Sequence, residues 1–208
     1  MLRFVDETLS QEDCGCIAAL SVGSCGRSLG EWVGEAVACI ERHAVQIEDP
    51  ACVEAFVESL RSDYDMLFQV PGELYVHPWE SPHIGKESMV FQESTLDVRS
   101  FYRNAGFKLQ TEGSFPDDHI AAMMDYMGRM GHRAYEAYAD GCDEDAVQVL
   151  AEQRRFLISH ITTWVDQFAN TVIENDEHAC YGALAGAMAA FAHLDEVLLT
   201  RVERELAG

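Results

Sequence analysis

The sequence has few basic residues and few residues that interrupt helices. Its 208 residues include 14 lysines and arginines against 36 aspartates and glutamates, which gives a formal net charge of −22. A chain this acidic repels the phosphates of nucleic acids and anionic membrane surfaces, so neither is an expected partner. A basic peptide segment is attracted instead. With 5 prolines and 15 glycines, long regular elements have few interruptions.

The sequence also lacks the patterns of export and of membrane insertion. The N-terminal residues are acidic, and no basic stretch leads into an apolar core as in a secretory signal. The most apolar run, residues 179–199, contains Asp195 and Glu196 and is expected to form a buried helix. Seven cysteines at irregular spacing fit reduced thiols. We therefore expect a cytoplasmic protein without stable membrane insertion.

Motifs for catalysis, phosphate binding and metal binding are missing too. Cys14, Cys16 and Cys25 have no second Cys-x-x-Cys pair of the kind that structural zinc sites use. The eight histidines form no His-x-x-x-His or His-Glu-x-x-His pattern, and no phosphate loop or Gly-x-Ser-x-Gly elbow is found. We predict no catalytic residue, no metal site and no cofactor. The remaining cysteines are expected to be small core residues: Cys39, Cys52, Cys142 and Cys180.

Helical periodicity dominates what is present, and no alternating strand pattern of useful length is found. Apolar residues fall on one helix face over residues 53–67 and again over 120–130. The strongest pattern, over residues 143–173, predicts one long amphipathic helix, and an Ala- and Gly-rich helix is expected at about 177–206. The hydrophobic fraction of 48% allows one sizeable core. We predict an all-α fold, a single-domain multi-helix bundle over residues 1–208.

Helix boundaries follow from capping residues and loops. Asp49 is expected to cap one helix, and Ser94 or Thr95 another, which Gly106 then closes. Residues 71–88 contain Pro, Gly and His and predict a long irregular connection, a type of loop that is often functional. His160 is expected to be a hydrogen-bonded histidine within a helix.

A second loop leads to Pro116, Asp117, Asp118 and His119, which precede an apolar helical run. Carboxylates in the first helical turn interact favourably with the free N–H groups, so the pattern favours a helix cap. A second interpretation stays open. An Asp-His pair that faces a loop with Trp79 can bind a cationic peptide through carboxylate charge, a histidine hydrogen bond and the indole face.

Four motifs, in this order along the chain, resemble the TorD/DmsD/NarJ family of molybdoenzyme-maturation chaperones. They are LRSDYDMLFQVPGELYVHPWESPHIGKES (60–88), STLDVRSFYRNAGF (94–107), FPDDHIAAMMDYM (115–127) and FLISHITTWVDQF (156–168). The most diagnostic feature is a proline, one variable residue, Asp-His and an apolar helix. The resemblance makes residues 49–208 a TorD-like core and leaves residues 1–48 as divergent N-terminal helices.

The resemblance implies a non-enzymatic chaperone of anaerobic respiration. Such proteins bind the catalytic subunit of a molybdopterin-containing oxidoreductase, many through its twin-arginine signal peptide, and assist cofactor insertion and assembly before export. The positions that match the family motifs are Asp118 and His119, with Pro116 as the structural start of the motif, and Trp79 and Ser81 in the loop.

The same resemblance implies roles in leader binding. Asp118, with Asp117, would attract the arginines, and His119 would position the peptide. Trp79, with Tyr75 near it in sequence, would cover the apolar segment of the leader.

Two alternatives to this function remain. The chain can be a helical assembly adaptor that reads a mature oxidoreductase subunit independently of a leader. It can also be a metal-dependent enzyme that uses Asp118 and His119, with His77 or His83. A monomer and a domain-swapped dimer both stay open, because the 71–88 loop can act as a hinge.

Overall fold

The structure, a computed structural model, describes residues 21–22, 27–48, 50–85, 93–110, 115–177 and 179–206. Within them a two-residue strand β1 (Ser21–Val22) pairs antiparallel with β2 (Arg27–Ser28). All other regular elements described are helical, so the prediction of an all-α fold is confirmed. The eight α-helices are α1 (Leu29–Glu48), α2 (Pro50–Tyr64), α3 (Ser81–Ile84), α4 (Glu93–Asn104), α5 (Ile120–Ala139), α6 (Asp143–Phe156), α7 (Val165–Asn175) and α8 (Cys180–Leu206).

These elements form two compact units. The described residues of the first unit are 79–85, 93–110, 115–164 and 192–206, and those of the second are 21–22, 27–48, 50–78, 165–177 and 179–191. The last helix, α8, contributes its first part to the second unit and its remainder to the first. The predicted domain boundaries, one domain over 1–208 with a core from 49, stay a prediction.

The core of the first unit is built around Phe156, which is fully buried near the end of α6. Its ring lies 4.6 Å from that of Tyr126 on α5 and 5.3 Å from that of Phe101 on α4, in edge-to-face arrangements that aromatic pairs prefer. The charges at the ends of α6 stabilise it as a helix. Acidic residues occupy its first turn and Arg154 and Arg155 its last, which complements the helix dipole.

The second unit is held together by packed aromatic rings and by a contact between a tryptophan and a glycine. The Phe68 ring lies 5.8 Å from the ring of Tyr181 and 6.3 Å from that of Phe168, and the Tyr181 hydroxyl donates to the Leu60 carbonyl at 3.0 Å. The buried Trp32 ring of α1 covers Gly186 of α8, where a Cβ would collide with it. The small residues of α8 therefore permit this close approach.

The predicted single helix over 143–173 is wrong, because the chain changes geometry after Phe156. Residues Leu157–Ile161 form a π-helical turn, three turn residues follow, and α7 then begins. The Trp164 indole N–H donates to the His160 carbonyl at 2.6 Å, in place of the backbone N–H that an α-helix would supply, while the Trp164 N–H turns to Ile161. A side-chain donor thus replaces a backbone donor at the break.

Other local predictions had mixed outcomes. The apolar face of α5 is confirmed, with Met123 and Met130 fully buried, and Gly106 closes α4 with a positive φ of 78°. The face over 53–67 is confirmed only in part, since Leu67 is buried and Tyr64 is 43% exposed. The capping prediction at Ser94 or Thr95 is wrong, because α4 already includes Glu93.

The cysteines differ in burial. Cys39 is buried as expected, whereas Cys52 and Cys142 are exposed, so the prediction that they are core residues is wrong. Cys180 is half-buried. Four predictions fall outside the described residues, namely those on Cys14, Cys16, Cys25 and Asp49.

Helix α8 is long and apolar enough, by length and composition alone, to cross a membrane. In its most apolar window 44% of the residues are buried. A core helix of a soluble protein has the same properties, so this is weak support for a span. Asp195, within the helix, is 5% exposed, and burial raises the pKa of its carboxyl group to about 6.

Candidate functional site

The loop that contains Trp79 runs alongside the Asp-His motif. Trp79 and His119 form an isolated antiparallel β-bridge, and the N–H of Glu80 donates to the carbonyl of Asp118 at 3.0 Å. Main-chain pairing of this kind fixes the register of the two segments. The two stretches, about 40 residues apart in sequence, are therefore direct neighbours.

Asp118 holds the start of α3. Its Oδ2 accepts the N–H of Ser81, the first residue of that short helix, at 2.8 Å. Asp118 and Ser81 are each 0% exposed. A carboxylate at this position satisfies a free N–H of the helix end and is favoured by its dipole.

Asp117 faces the other way, towards α4. Its Oδ2 accepts from Nε of Arg99 at 2.8 Å and also from Nη2, and its backbone carbonyl accepts from the Tyr102 hydroxyl at 3.1 Å. The carboxylate is buried, and the Arg99 side chain is 19% exposed. A buried carboxylate needs such a partner, because an unpaired charge in the interior is costly. Burial, followed by the charges of Asp117 and Asp118, raises the pKa of Tyr102.

His119 is the residue that caps α5. The helix begins at Ile120, and Nδ1 of His119 accepts the N–H of Ala121 at 3.1 Å. The sequence favoured a cap made by the carboxylates of Asp117 and Asp118. That prediction is wrong, because His119 caps the helix, and Pro116 is buried before it. Burial lowers the pKa of His119, which favours the neutral ring. Because Nδ1 accepts, the single proton lies on Nε2.

Three rings meet beside this cap: Trp79, Phe115 and His119, called the aromatic triad below. The ring centroids are 5.8 Å apart for Trp79–Phe115, 5.4 Å for Trp79–His119 and 5.6 Å for Phe115–His119. Phe115 is 38% exposed and the other two are half-buried. Tyr75 belongs to the other unit, where its ring stands edge-on against His77. The triad is a continuous apolar surface with a histidine donor.

Behind the bridge lies a buried Glu80–His160 pair that the sequence reasoning did not predict. Both carboxylate oxygens of Glu80 lie 3.1 Å from Nδ1 of His160. Glu80 is 0% exposed, and burial raises its pKa although the hydrogen bond to His160 opposes this. Nε2 of His160 lies 3.2 Å from Oδ2 of Asp97, within ion-pair range but without hydrogen-bond geometry. The expectation of a hydrogen-bonded His160 is confirmed.

Two sequence signals were available for this pair. One was a glutamate next to a loop tryptophan, and the other was a histidine one helical turn before Trp164. Neither signal pointed to the other, because 80 residues separate the partners. The Trp164 ring also stacks on His83, with centroids 4.9 Å apart. The loop thus contacts the π-helical turn at His160 and the turn residues that follow it at Trp164.

A sequence model of the family described as "Nitrate reductase delta subunit" matches residues 28–170. The chain belongs to the nitrate reductase delta subunit family. The matched segment contains the Trp79 loop, the Asp-His motif, the aromatic triad and the Glu80–His160 pair. It begins upstream of residue 49, where the TorD-like core was predicted to start.

Named relatives of this family member are chaperones. The chain is 25% identical over 136 residues to the chaperone protein TorD of Vibrio vulnificus, covering 65% of this chain and 62% of that one. It is 28% identical over 127 residues to the Tat proofreading chaperone DmsD of Salmonella typhi, covering 61% and 55%. The chain thus spans less than two thirds of the length of these relatives. No solved structure matches it.

The arrangement of this family member's Asp-His motif suits binding more than metal chemistry. Within the described residues, Asp118 and His119 belong to no group of His, Cys, Asp and Glu side chains with ligand atoms close enough to share a metal ion. One oxygen of Asp118 and one nitrogen of His119 already accept backbone N–H groups. The three rings of the triad stay partly exposed beside these bonds.

Proposed function

We propose that this protein is a cytoplasmic chaperone for the catalytic subunit of a molybdopterin-containing oxidoreductase. It binds the unfolded or partly folded precursor, recognises its twin-arginine signal peptide and assists cofactor insertion before export. Membership of the family and the chaperone names of the relatives support this class of function and a non-enzymatic role.

The observation that carries the proposal is the aromatic triad on a rigid frame. Hydrogen bonds that Asp118 and Asp117 accept hold the segments that carry Trp79, Phe115 and His119. Because these side chains are fixed before a partner arrives, binding costs little ordering of the receptor. A partly exposed aromatic surface of this kind fits the apolar stretch of a leader peptide in a helix or an extended form.

Different groups of the protein attract the leader peptide and contact it. The net charge of −22 speeds the encounter with paired arginines over a range that salt screening limits. The triad supplies the apolar contact that sets the lifetime of the complex, and the Nε2–H of His119 donates to a peptide carbonyl. Asp117 and Asp118 act as positioning residues for this surface, as do Ser81 and Pro116. A contact between the leader and Tyr75 stays a prediction.

The test is affinity purification of the full chain from its native cell, with mass spectrometry of the co-purifying proteins. We expect a molybdopterin oxidoreductase subunit that still carries its leader. A Phe115→Ala variant should recover less of it, and a Tyr138→Ala variant, which removes an aromatic ring of equal exposure (38%) from α5, should recover the same amount. Recovery of no such subunit, or equal recovery by both variants, would contradict the proposal.

One observation favours the second candidate, an assembly adaptor that reads the mature subunit. The family description names a subunit of nitrate reductase and no leader. Deletion of the leader from the co-purifying subunit separates the two functions. Unchanged recovery supports the adaptor, and loss of recovery supports leader recognition. A monomer and a domain-swapped dimer remain alternatives for either function.

A further inference from the structure

A cluster of two cysteines and a histidine lies in the second unit. Cys39 and His43 are four residues apart on α1, so both lie on one face of that helix. Cys180 is the first residue of α8. One ligand atom from each of the three side chains lies within 4.8 Å of the other two.

The packing of the two helices brings these residues together. Trp32 of α1 covers Gly186 of α8, and seven residues further along α1 the Cys39 thiol donates to the Ala179 carbonyl at 3.5 Å. Ala179 is seven residues before Gly186, so the two contacts are consistent with antiparallel chains in this region. Cys39 therefore meets the first turn of α8, at Cys180.

The backbone at this point is unusual. Ala179 has φ 60°, and no other non-glycine residue in the described ranges has a positive φ. An alanine adopts this left-handed conformation only at a cost, and such residues concentrate at functional sites. Here the conformation turns the chain so that Cys180 opens α8 beside Cys39.

His43 supplies an independent observation. Both of its ring nitrogens are buried from solvent, and neither has a hydrogen-bond partner among the described residues. Buried polar nitrogens are nearly always bonded, because an unbonded one loses its hydration without compensation. The ring itself is fixed, since it stacks on Phe56 with centroids 4.8 Å apart. An imidazole held in this way has a lone pair to offer to a cation.

The donor set and its spacing suit zinc. Zn–S bonds of about 2.3 Å and Zn–N bonds of about 2.0 Å place tetrahedral ligand atoms about 3.5 to 3.8 Å apart. The three ligand atoms lie up to 4.8 Å apart, so side-chain rotations that move them by about 1 Å bring them to the tetrahedral spacing. Two thiolates and an imidazole favour Zn²⁺ over Mg²⁺ or Ca²⁺, which prefer oxygen ligands.

The surroundings of Cys180 favour a cation. The carboxylates of Asp176 and Asp63 are near enough to its thiol to act on it electrostatically. Asp176 is 8% exposed, and its Oδ2 accepts the N–H of Gly182 at 2.7 Å. A bound cation compensates for both negative carboxylates and takes the place of the thiol protons, which are released when it binds.

We propose that Cys39, His43 and Cys180 bind one Zn²⁺ ion and so fasten α1 to the start of α8. The two thiols lose their protons to solvent, and the imidazole binds through a neutral nitrogen. The ion leaves a fourth position for water or a carboxylate. The ligands come from α1 and α8 and meet only in the folded form. Binding of the ion therefore stabilises the folded form by mass action.

The test uses the full chain, purified under reducing conditions and stripped with a chelator. Titration with Zn²⁺ against a chromophoric chelator should give one tight site at this cluster, and Co²⁺ should give the thiolate-to-cobalt and d–d absorption of a tetrahedral site. Cys39→Ser, His43→Gln and Cys180→Ser should each weaken Zn²⁺ binding at least about tenfold. Cys142→Ser, at an exposed cysteine, should leave it unchanged.

A second control separates this site from the N-terminal cysteines. A chain with Cys14, Cys16 and Cys25 all changed to Ser should keep the Co²⁺ spectrum and the Zn²⁺ affinity. Far-UV circular dichroism of the stripped variants checks that they fold. If a ligand variant fails to fold, the Co²⁺ spectrum of the unaltered chain and of the triple variant still decides.

Several results would overturn the proposal. They are the absence of thiolate-to-cobalt absorption in the unaltered chain, its loss in the N-terminal triple variant, and equal Zn²⁺ affinity in folded Cys39→Ser and Cys180→Ser chains. A Cys39–Cys180 disulfide in protein isolated from cells without reductant would also overturn it. That bond would make the pair a redox link in place of a metal site.

Discussion

Oδ2 of Asp118 accepts the backbone N–H of Ser81 at 2.8 Å, and neither residue is exposed to solvent. The diagnostic aspartate of the Asp-His motif therefore acts inside the protein, where it fixes the loop that carries Trp79. Its neighbour His119 caps α5 and contributes to the surface. One short motif thus connects two helix starts, and the aromatic triad lies between them.

Replacing Asp118 with Ala should destabilise the first unit. The change leaves the buried Ser81 N–H without its acceptor, which costs about 2 to 3 kcal/mol for a bond to a charged group. Urea denaturation measures the free energy of unfolding. Asp118→Asn, which keeps one acceptor oxygen, should lose less. Asp125→Asn, at an exposed ion pair of α5, should change stability by less than about 0.5 kcal/mol. Equal losses in all three variants would show that the bond to Ser81 contributes little.

Trp164→Phe should test the break after α6. The phenyl ring keeps most of the apolar volume but cannot donate to the His160 carbonyl, so we expect a loss of about 1 to 2 kcal/mol in the free energy of unfolding. Thr171→Val removes a hydroxyl whose hydrogen bond to a helix carbonyl is exposed, and it should cost less than about 0.5 kcal/mol. A Trp164→Phe protein as stable as the parent would mean that another group satisfies the carbonyl.

Two glycines on helices should respond to alanine in opposite directions. At Gly186 an added Cβ collides with the buried Trp32 ring, and overpacking of this kind costs about 1 to 3 kcal/mol. At Gly128 an added Cβ meets nothing within 4 Å, and alanine in a helix interior stabilises by about 0.5 to 1 kcal/mol. Melting temperatures of Gly186→Ala and Gly128→Ala provide the measurement. A stabilised Gly186→Ala protein would contradict the tight packing of Trp32.

The buried Asp195 predicts how stability depends on pH. Burial raises the pKa of its carboxyl group from 3.8 to about 6, so between these values the unfolded chain has already lost a proton that the folded chain retains. Stability therefore falls as pH rises through this window, and at pH 7 the loss is about 3 kcal/mol. Asp195→Asn should remove this fall in urea denaturation series at pH 4 to 7, whereas Asp140→Asn, at an exposed position, should keep it. Parallel profiles for Asp195→Asn and the parent would contradict the shift.

The sequence was sufficient for the helical class and for the motif positions, because both depend on local patterns. The periodicity over 120–130 predicted the buried face of α5, and Gly106 predicted a helix end with positive φ. The roles of the two aspartates were not predictable in this way. Asp117 and Asp118 are adjacent in sequence, yet they bind Arg99 and Ser81 on different elements, which only tertiary packing determines.

The break in the long helix had a related cause. The apolar spacing continues through it, since Leu157, Ile161 and Trp164 are all buried. At the break an indole donor takes a backbone carbonyl, and periodicity contains no information about such a donor. The Cys39–His43–Cys180 cluster was likewise hidden, because about 140 residues separate its two helices and no metal motif spans that distance.

We propose that the aromatic triad binds the leader peptide, and a direct titration tests this binding. A labelled twin-arginine peptide from the co-purifying subunit is titrated with the full chain, its Trp79→Ala and Phe115→Ala variants, and Tyr138→Ala as the control of equal exposure. We expect Kd to rise at least about tenfold for both triad variants, to stay unchanged for Tyr138→Ala, and to rise with salt for every protein. If folded Trp79→Ala and Phe115→Ala proteins bind the peptide as tightly as the parent, the triad is not the leader-binding surface.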